Sequence, residues 1–232
     1  MGDGLLALAE ALMTSSERRL ELTSRNISNI STPGYKRLYP FDQILSDAAQ
    51  SSAPRIASDQ RQGGLTQTGS PFDLAIVGDG LFQLRSDEGV YFTRNGQFER
   101  RADGHVVNAQ GFALQTASGD DLIVSGSNVE ITQNGTVLDD GAPVARIGLY
   151  AAQDWSALSI VGGSLFQAPP DQIQELDQGM MRQGMLETAN TELAQEMLDM
   201  MQTLRAAETG ARLAQTYDTL IGQSITTLGR TQ

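Results

Sequence analysis

The chain has 232 residues, no cysteine and a formal net charge of −12. That length allows one or two domains with a sizeable core, and the absence of cysteine excludes a disulfide frame and a thiolate metal site. The charge is uneven: residues 1–36 balance four basic against four acidic groups, residues 37–183 set nine against eighteen, and residues 184–232 three against six. Nothing resembles a basic stripe, which excludes nucleic acid as an expected partner. Near-neutral ends fit burial against copies of the chain, with the acidic middle facing water. No apolar run is long enough to span a membrane. The N-terminus lacks the basic-then-apolar pattern of a cleaved signal peptide, so export is expected to proceed without one.

Residues 3–30 read as a helix. Leu6, Ala9, Met13, Ser16, Leu20, Thr23, Ile27 and Ile30 alternate by threes and fours, placing a seam on one face. Ser31-Thr32-Pro33-Gly34 ends it. Pro33 pushes Thr32 out of helical geometry and Gly34 permits a turn. The first segment is therefore 1–36, an N-terminal helix and its turn. Residues 37–64 have no sustained period and form a linker-like or extended segment, with a short helix expected over Asp42–Ala49.

Over residues 65–178 turn signals recur about every eight to twelve residues, which predicts an antiparallel β domain. Strands are expected at Phe72–Val77, Leu81–Arg85, Val90–Arg94, Gln97–Arg101, His105–Asn108, Phe112–Gln115, Val129–Thr132, Thr136–Leu138 and Val144–Ala151. Ser164–Gln167 is expected to close the sheet. Asn95-Gly96 carries the signature of a type I′ hairpin between its flanking strands.

Residues 179–232 are expected to lead into and form the C-terminal helix. Leu193, Met197, Met200, Leu204, Ala207, Ala211, Ala214, Asp218, Ile221, Ile225 and Leu228 recur by threes and fours, and only Asp218 interrupts the apolar stripe. A helix from Glu187 to Leu228 runs roughly 60 Å, too long for a domain of this size to bury. It needs a partner: the N-terminal helix, other chains, or both. Ala207, Ala211 and Ala214 leave room for close helix packing.

Chemistry-bearing patterns are sparse. His105 starts an expected strand with no strained serine elbow to accompany it. Asp79 lies between two glycines without the further oxygens a calcium loop needs. Asp120-Asp121 and Asp139-Asp140 fall in expected turns, where acidic pairs are ordinary. Gly78-Asp79-Gly80 leads into a strand rather than a helix, unlike a dinucleotide loop. The expectation is a non-enzyme with no catalytic residue, metal or cofactor.

Four stretches carry a resemblance: Asn26 through Arg37, including Thr32-Pro33-Gly34-Tyr35; Asp73 through Phe82; Tyr91 through Phe98, running on to Asp103–Asn108; and Gly184 through Asn190 with Glu196-Met197 and Arg205 through Glu208. Together, and in this order, they resemble the bacterial flagellar rod and hook family. Arg25 and Ala207 depart from its usual pattern. Hook members are longer and distal rod members carry a longer insertion after the first helix, so the chain is nearest the proximal rod members. The resemblance implies a torque-bearing axial subunit of the basal-body rod, exported by the flagellar type III apparatus, with copies of itself and other rod proteins as partners.

The fold expected is α+β: two terminal helices pairing as a coiled-coil stem, with a central antiparallel β domain. The assembly interface expected is Leu6, Ala9, Met13, Leu20, Ile27 and Ile30 with Leu193, Met197, Met200, Leu204, Ala207, Ala211, Ala214, Ile221, Ile225 and Leu228. A secreted polysaccharide-cleaving enzyme is the alternative from another class.

Overall fold

The computed structural model describes residues 2–41, 55–176 and 179–228. The fold is α+β and divides into two compact units. One gathers residues 1–28, 38–56 and 192–232, and the other residues 29–37 and 57–191.

The first unit is built on two helices, α1 (Gly2–Ser28) and α2 (Leu193–Leu228). They pair antiparallel: Asn26, near the end of α1, hydrogen-bonds Glu196, near the start of α2, while Gly210 meets Ala9, Leu12 and Met13. Buried positions spaced by seven occur on both helices, Ala9, Ser16 and Thr23 on α1 and Glu196, Thr203 and Gly210 on α2; Leu22 and Asn26 of α1 are buried as well. The hydroxyls of Ser16 and Thr203 donate back to the carbonyls of Leu12 and Asp199, each at 2.7 Å, so both sit in the seam without an unmet donor. Strand Leu38–Phe41 follows α1 in this unit, held by the Asn26 amide, which accepts from Leu38 N and donates to Leu38 O, each at 2.9 Å.

α1 ends two residues before the expected Ile30. Asn29–Ser31 turns instead, with Thr32 N donating to Asn29 O and Tyr35 N to Thr32 O. The short helix expected over Asp42–Ala49 lies outside the described residues.

The second unit is antiparallel β. Leu81–Ser86 is central, pairing with Gly89–Thr93 on one side and with Ala113–Leu114 and Leu149–Ala152 on the other. Alternation along this strand serves two cores. Phe82 and Leu84 join Leu74, Ile76, Phe98, Leu114, Val137, Ile147 and Met181, whereas Leu81 packs with Phe92, Leu158 and Phe166. Phe82 meets Phe98 edge to face, ring centres 5.4 Å apart.

A turn at Asp103-Gly104 joins Phe98–Arg100 to Val106–Asn108, with Gly104 at φ +90°. The hairpin expected at Asn95-Gly96 does not form. Gly89–Thr93 pairs with Leu81–Ser86 and Leu165–Gln167, while Phe98–Arg100 turns to Val106–Asn108. Gly96 instead lies against the Leu74 backbone, accepting from Leu74 N at 2.9 Å, and a Cβ there would overlap Leu74 O.

Residues 180–187 are strands of this unit rather than a lead into the helix. Met180–Gln183 pairs with Leu74–Val77, and Met185–Glu187 with Leu65–Gln67. α2 starts at Leu193, six residues beyond the expected Glu187 start.

Candidate assembly site

Three remote segments of the second unit meet at one buried carboxylate. Glu187 lies at the end of Met185–Glu187, where strand pairing to Leu65–Gln67 fixes its backbone. One carboxylate oxygen accepts from Lys36 Nζ at 2.7 Å and from Gly63 N at 3.0 Å; the other accepts from Arg94 Nε at 2.6 Å. Glu187 is 1 % exposed, and Lys36 and Arg94 are 4 % exposed, so all three charges are out of water. Such a cluster is tolerable only when its remaining donors are met. Here each donor nitrogen has a partner: the Arg94 guanidinium also donates to the carbonyls of Gly80, Ile76 and Gly78, and Lys36 Nζ to Arg61 O. Burial pulls the Lys36 pKa below the usual lysine value, against the smaller opposing pull of Glu187.

The Thr32-Pro33-Gly34-Tyr35 turn is seated on this cluster. Gly34 N donates to Glu187 O at 2.7 Å, and Gly34 has φ +66° with Arg94 backbone where a Cβ would be. Tyr35 is buried, and Thr32 and Pro33 are half-buried. Asn190 ties the same region together: its Oδ1 accepts from Arg37 N at 2.7 Å, and its Nδ2 donates to Asp59 O and Arg61 O. The clamp so formed holds the segment after α1 and the segment before α2 side by side on the β unit.

The residues expected at an assembly interface divide by environment. On α1, Ala9 is buried, Leu20 and Ile27 are half-buried, and Met13 is exposed; Ile30 lies in the turn beyond, half-buried. On α2, Leu193, Met197 and Leu204 are 49 %, 53 % and 45 % exposed. Met200, Ala207, Ala211 and Ala214 are half-buried. The side chains of Leu6, Ile221, Ile225 and Leu228 lie outside those described. α2 thus turns toward α1 the residue before each of Met197, Leu204 and Ala211. Small and polar side chains fill the contact within the chain. The exposed face carries Leu193, Met197, Leu198, Met201 and Leu204, apolar side chains of nearly continuous helical spacing.

Sequence reasoning passed over Asn26, Arg94, Glu187 and Glu196 as site residues. The only signal for them was that each falls within, or directly beside, a stretch carrying the family resemblance.

The other chemical candidates are engaged locally. His105 stands with Nδ1 3.3 Å from Asp103 and Nε2 3.8 Å from Asp121, beside a cavity of about 450 Å³ that Arg85, Arg101 and Phe112 also line. Asp121 is held by Arg85 and Gln115, and Asp139 accepts from Ser125 N and Gly126 N. Backbone donors lower the Asp139 pKa. Asp79 is exposed, and among the described residues no three carboxylate or imidazole side chains converge as a metal site.

Residues 75–139 match the family model described as the flagellar hook protein FlgE/F/G D1 domain, and residues 182–227 match that of the flagellar basal body rod FlgEFG protein C-terminal region. Both stretches are thus similar to the flagellar basal-body rod and hook family. Both matches include clamp or helix-pair residues: Arg94 in the first, Glu187 and Glu196 in the second.

Members of this rod and hook family align along nearly the whole chain. The flagellar basal-body rod protein FlgF of Caulobacter vibrioides is 24 % identical over 98 % of this chain and 99 % of its own length. FlgF of Mesorhizobium japonicum is 27 % identical over 99 % of each. The rod protein FlgG of Agrobacterium fabrum is 26 % identical over 92 % of this chain and 95 % of its own. No described helix is long and apolar enough to cross a membrane.

Proposed function

We propose that the chain is a structural subunit of the flagellar basal-body rod, assembling helically with copies of itself and other rod proteins into the shaft that carries torque across the periplasm. The observation that carries this reading is the division of α2. Its contact with α1 uses Glu196, Thr203 and Gly210, while Leu193, Met197, Leu198, Met201 and Leu204 face outward. A contiguous exposed apolar face marks an interaction surface. A head-to-tail contact between identical subunits, repeated with a rotation that does not close, gives a helical array.

The heptad spacing of Ala9, Ser16 and Thr23 against Glu196, Thr203 and Gly210 supports a coiled-coil stem. The FlgF relatives are covered slightly more fully than FlgG, 99 % against 95 % of their own lengths, which supports the proximal rod over the distal rod, and the hook protein FlgE of Brucella abortus is covered over only 35 % of its length. Export through the flagellar type III apparatus, without a cleaved signal, is part of the same reading.

The decisive experiment replaces Leu204 by Glu in the native strain and images basal bodies, with swimming scored on soft agar. The expected result is loss of rods with an unchanged melt of the purified full-length variant. Normal rods and normal swimming in that strain would overturn the proposal.

A further inference from the structure

Asn26 and Glu196 make a side-chain to side-chain hydrogen bond between α1 and α2, 3.1 Å from Nδ2 to Oε2, with both residues 1 % exposed. Hydrophobic burial alone does not select this arrangement. Positions 196, 203 and 210 of α2 precede 197, 204 and 211 by one residue, about 100° of rotation around the helix. Turned by that amount, α2 would cover Met197 and Leu204 with α1 and release a glutamate, a threonine and a glycine to water. Apolar burial favours that turn. It would also cover part of the face assigned to other subunits.

We infer that the Asn26–Glu196 contact is a positioning device that holds the apolar face of α2 outward. The inference rests on the reading of that face as the assembly face. A polar pair buried in a helix seam fixes rotation and register because any other setting leaves its members without matched partners. Asn26 is itself fixed, since its amide is engaged with both backbone groups of Leu38. The Asn26 end of the contact is thereby fixed. Gly210 serves the same setting from the other end. A Cβ there would stand 3.2 Å from Met13 Cγ and 3.5 Å from Ala9 O, so this approach is open to the glycine face of α2.

The chain has no cysteine, so single introduced thiols report each face cleanly. In the full-length protein, Leu198→Cys marks the outward face and Thr203→Cys the seam. With Glu196 in place, a thiol reagent should modify Leu198→Cys at least about tenfold faster than Thr203→Cys. Adding Glu196→Leu should bring that ratio close to one while circular dichroism shows helix content kept or raised. Glu196→Gln, whose amide oxygen still accepts from Asn26, should restore the ratio. An unchanged ratio with Glu196→Leu would overturn the inference. So would a ratio that falls together with helix content, because Glu196 would then only stabilise the pair, and so would equal labelling in the parent protein. The measurement uses the isolated chain, so it stands or falls separately from rod assembly in the Leu204→Glu strain.

Discussion

Arg94 and Glu187, 93 positions apart in sequence, are joined by a 2.6 Å contact with almost no water around either. Lys36 shares the same carboxylate. Removing that carboxylate leaves two buried cations facing each other. Glu187→Gln should destabilise the β unit by about 3–5 kcal/mol, the usual cost of breaking a buried ion pair from one side. Arg94→Lys should not be tolerated, because one ammonium cannot reach Glu187 and the carbonyls of Gly80, Ile76 and Gly78 together. Urea unfolding of the purified chain reads both, and a loss under about 1 kcal/mol for either would contradict the clamp.

Gly34→Ala should be far costlier than Gly119→Ala. Both glycines have positive φ, +66° and +85°. A left-handed alanine alone costs about 1–2 kcal/mol. Around Gly119 no atom stands within 4 Å of a built Cβ, whereas at Gly34 the Cβ overlaps the Arg94 backbone. Equal shifts in melting temperature for the two variants would mean that the turn can move off the clamp.

Alkaline stability should carry the mark of Lys36. Burial lowers its folded pKa below 10.5, so the unfolded chain binds this proton more tightly. The contribution of the group is therefore constant below the folded pKa and rises between that value and 10.5. Tyr150 acts in the opposite sense: burial raises its pKa above 10.0, so its contribution falls as pH rises beyond 10.0. Lys36→Met removes the first slope and leaves the second. Stability curves of parent and variant that stay parallel from neutral pH to 10.5 would show that Lys36 holds its proton as firmly folded as unfolded.

The fragment 29–191 should melt cooperatively by itself, and the fragment 65–178 should not. The shorter piece lacks Met180–Gln183, which pairs with Leu74–Val77, and it separates Arg94 from Glu187. A sharp calorimetric transition for 65–178, close to that of 29–191, would show that these two strands and the clamp add little.

The sequence-based expectations and the structure part company for identifiable reasons. On α1 the heptad pattern and the buried stripe coincide only in part: Ala9, Ser16 and Thr23 are buried, Met13 is exposed, and Leu22 and Asn26 are buried off the pattern. On α2 they do not. A hydrophobic stripe says that a face seeks cover, not which partner covers it, and Leu193, Met197 and Leu204 are left uncovered within the chain. The helix was expected to begin at Glu187, but the strand partner at Leu65–Gln67 and the buried cations around Glu187 hold that residue in the β unit. Asn95-Gly96 misled because glycine has two uses, positive φ and close approach, and here the second applies. The clamp was least legible, since Lys36, Arg94 and Glu187 lie far apart and no spacing rule connects them.

The Asn190 amide draws together three places where the chain passes from one unit to the other. It accepts from Arg37 N and donates to Asp59 O, while Asp59 N donates to Arg37 O at 2.8 Å. The interval between Arg37 and Asp59 is thereby tied at both ends to the β unit. Closure entropy grows only logarithmically with the length of chain between two tied points, so doubling such an interval costs on the order of 0.6 kcal/mol. Length can be added to or removed from this interval with little thermodynamic consequence, and subunits of different reach can arise on one unchanged framework.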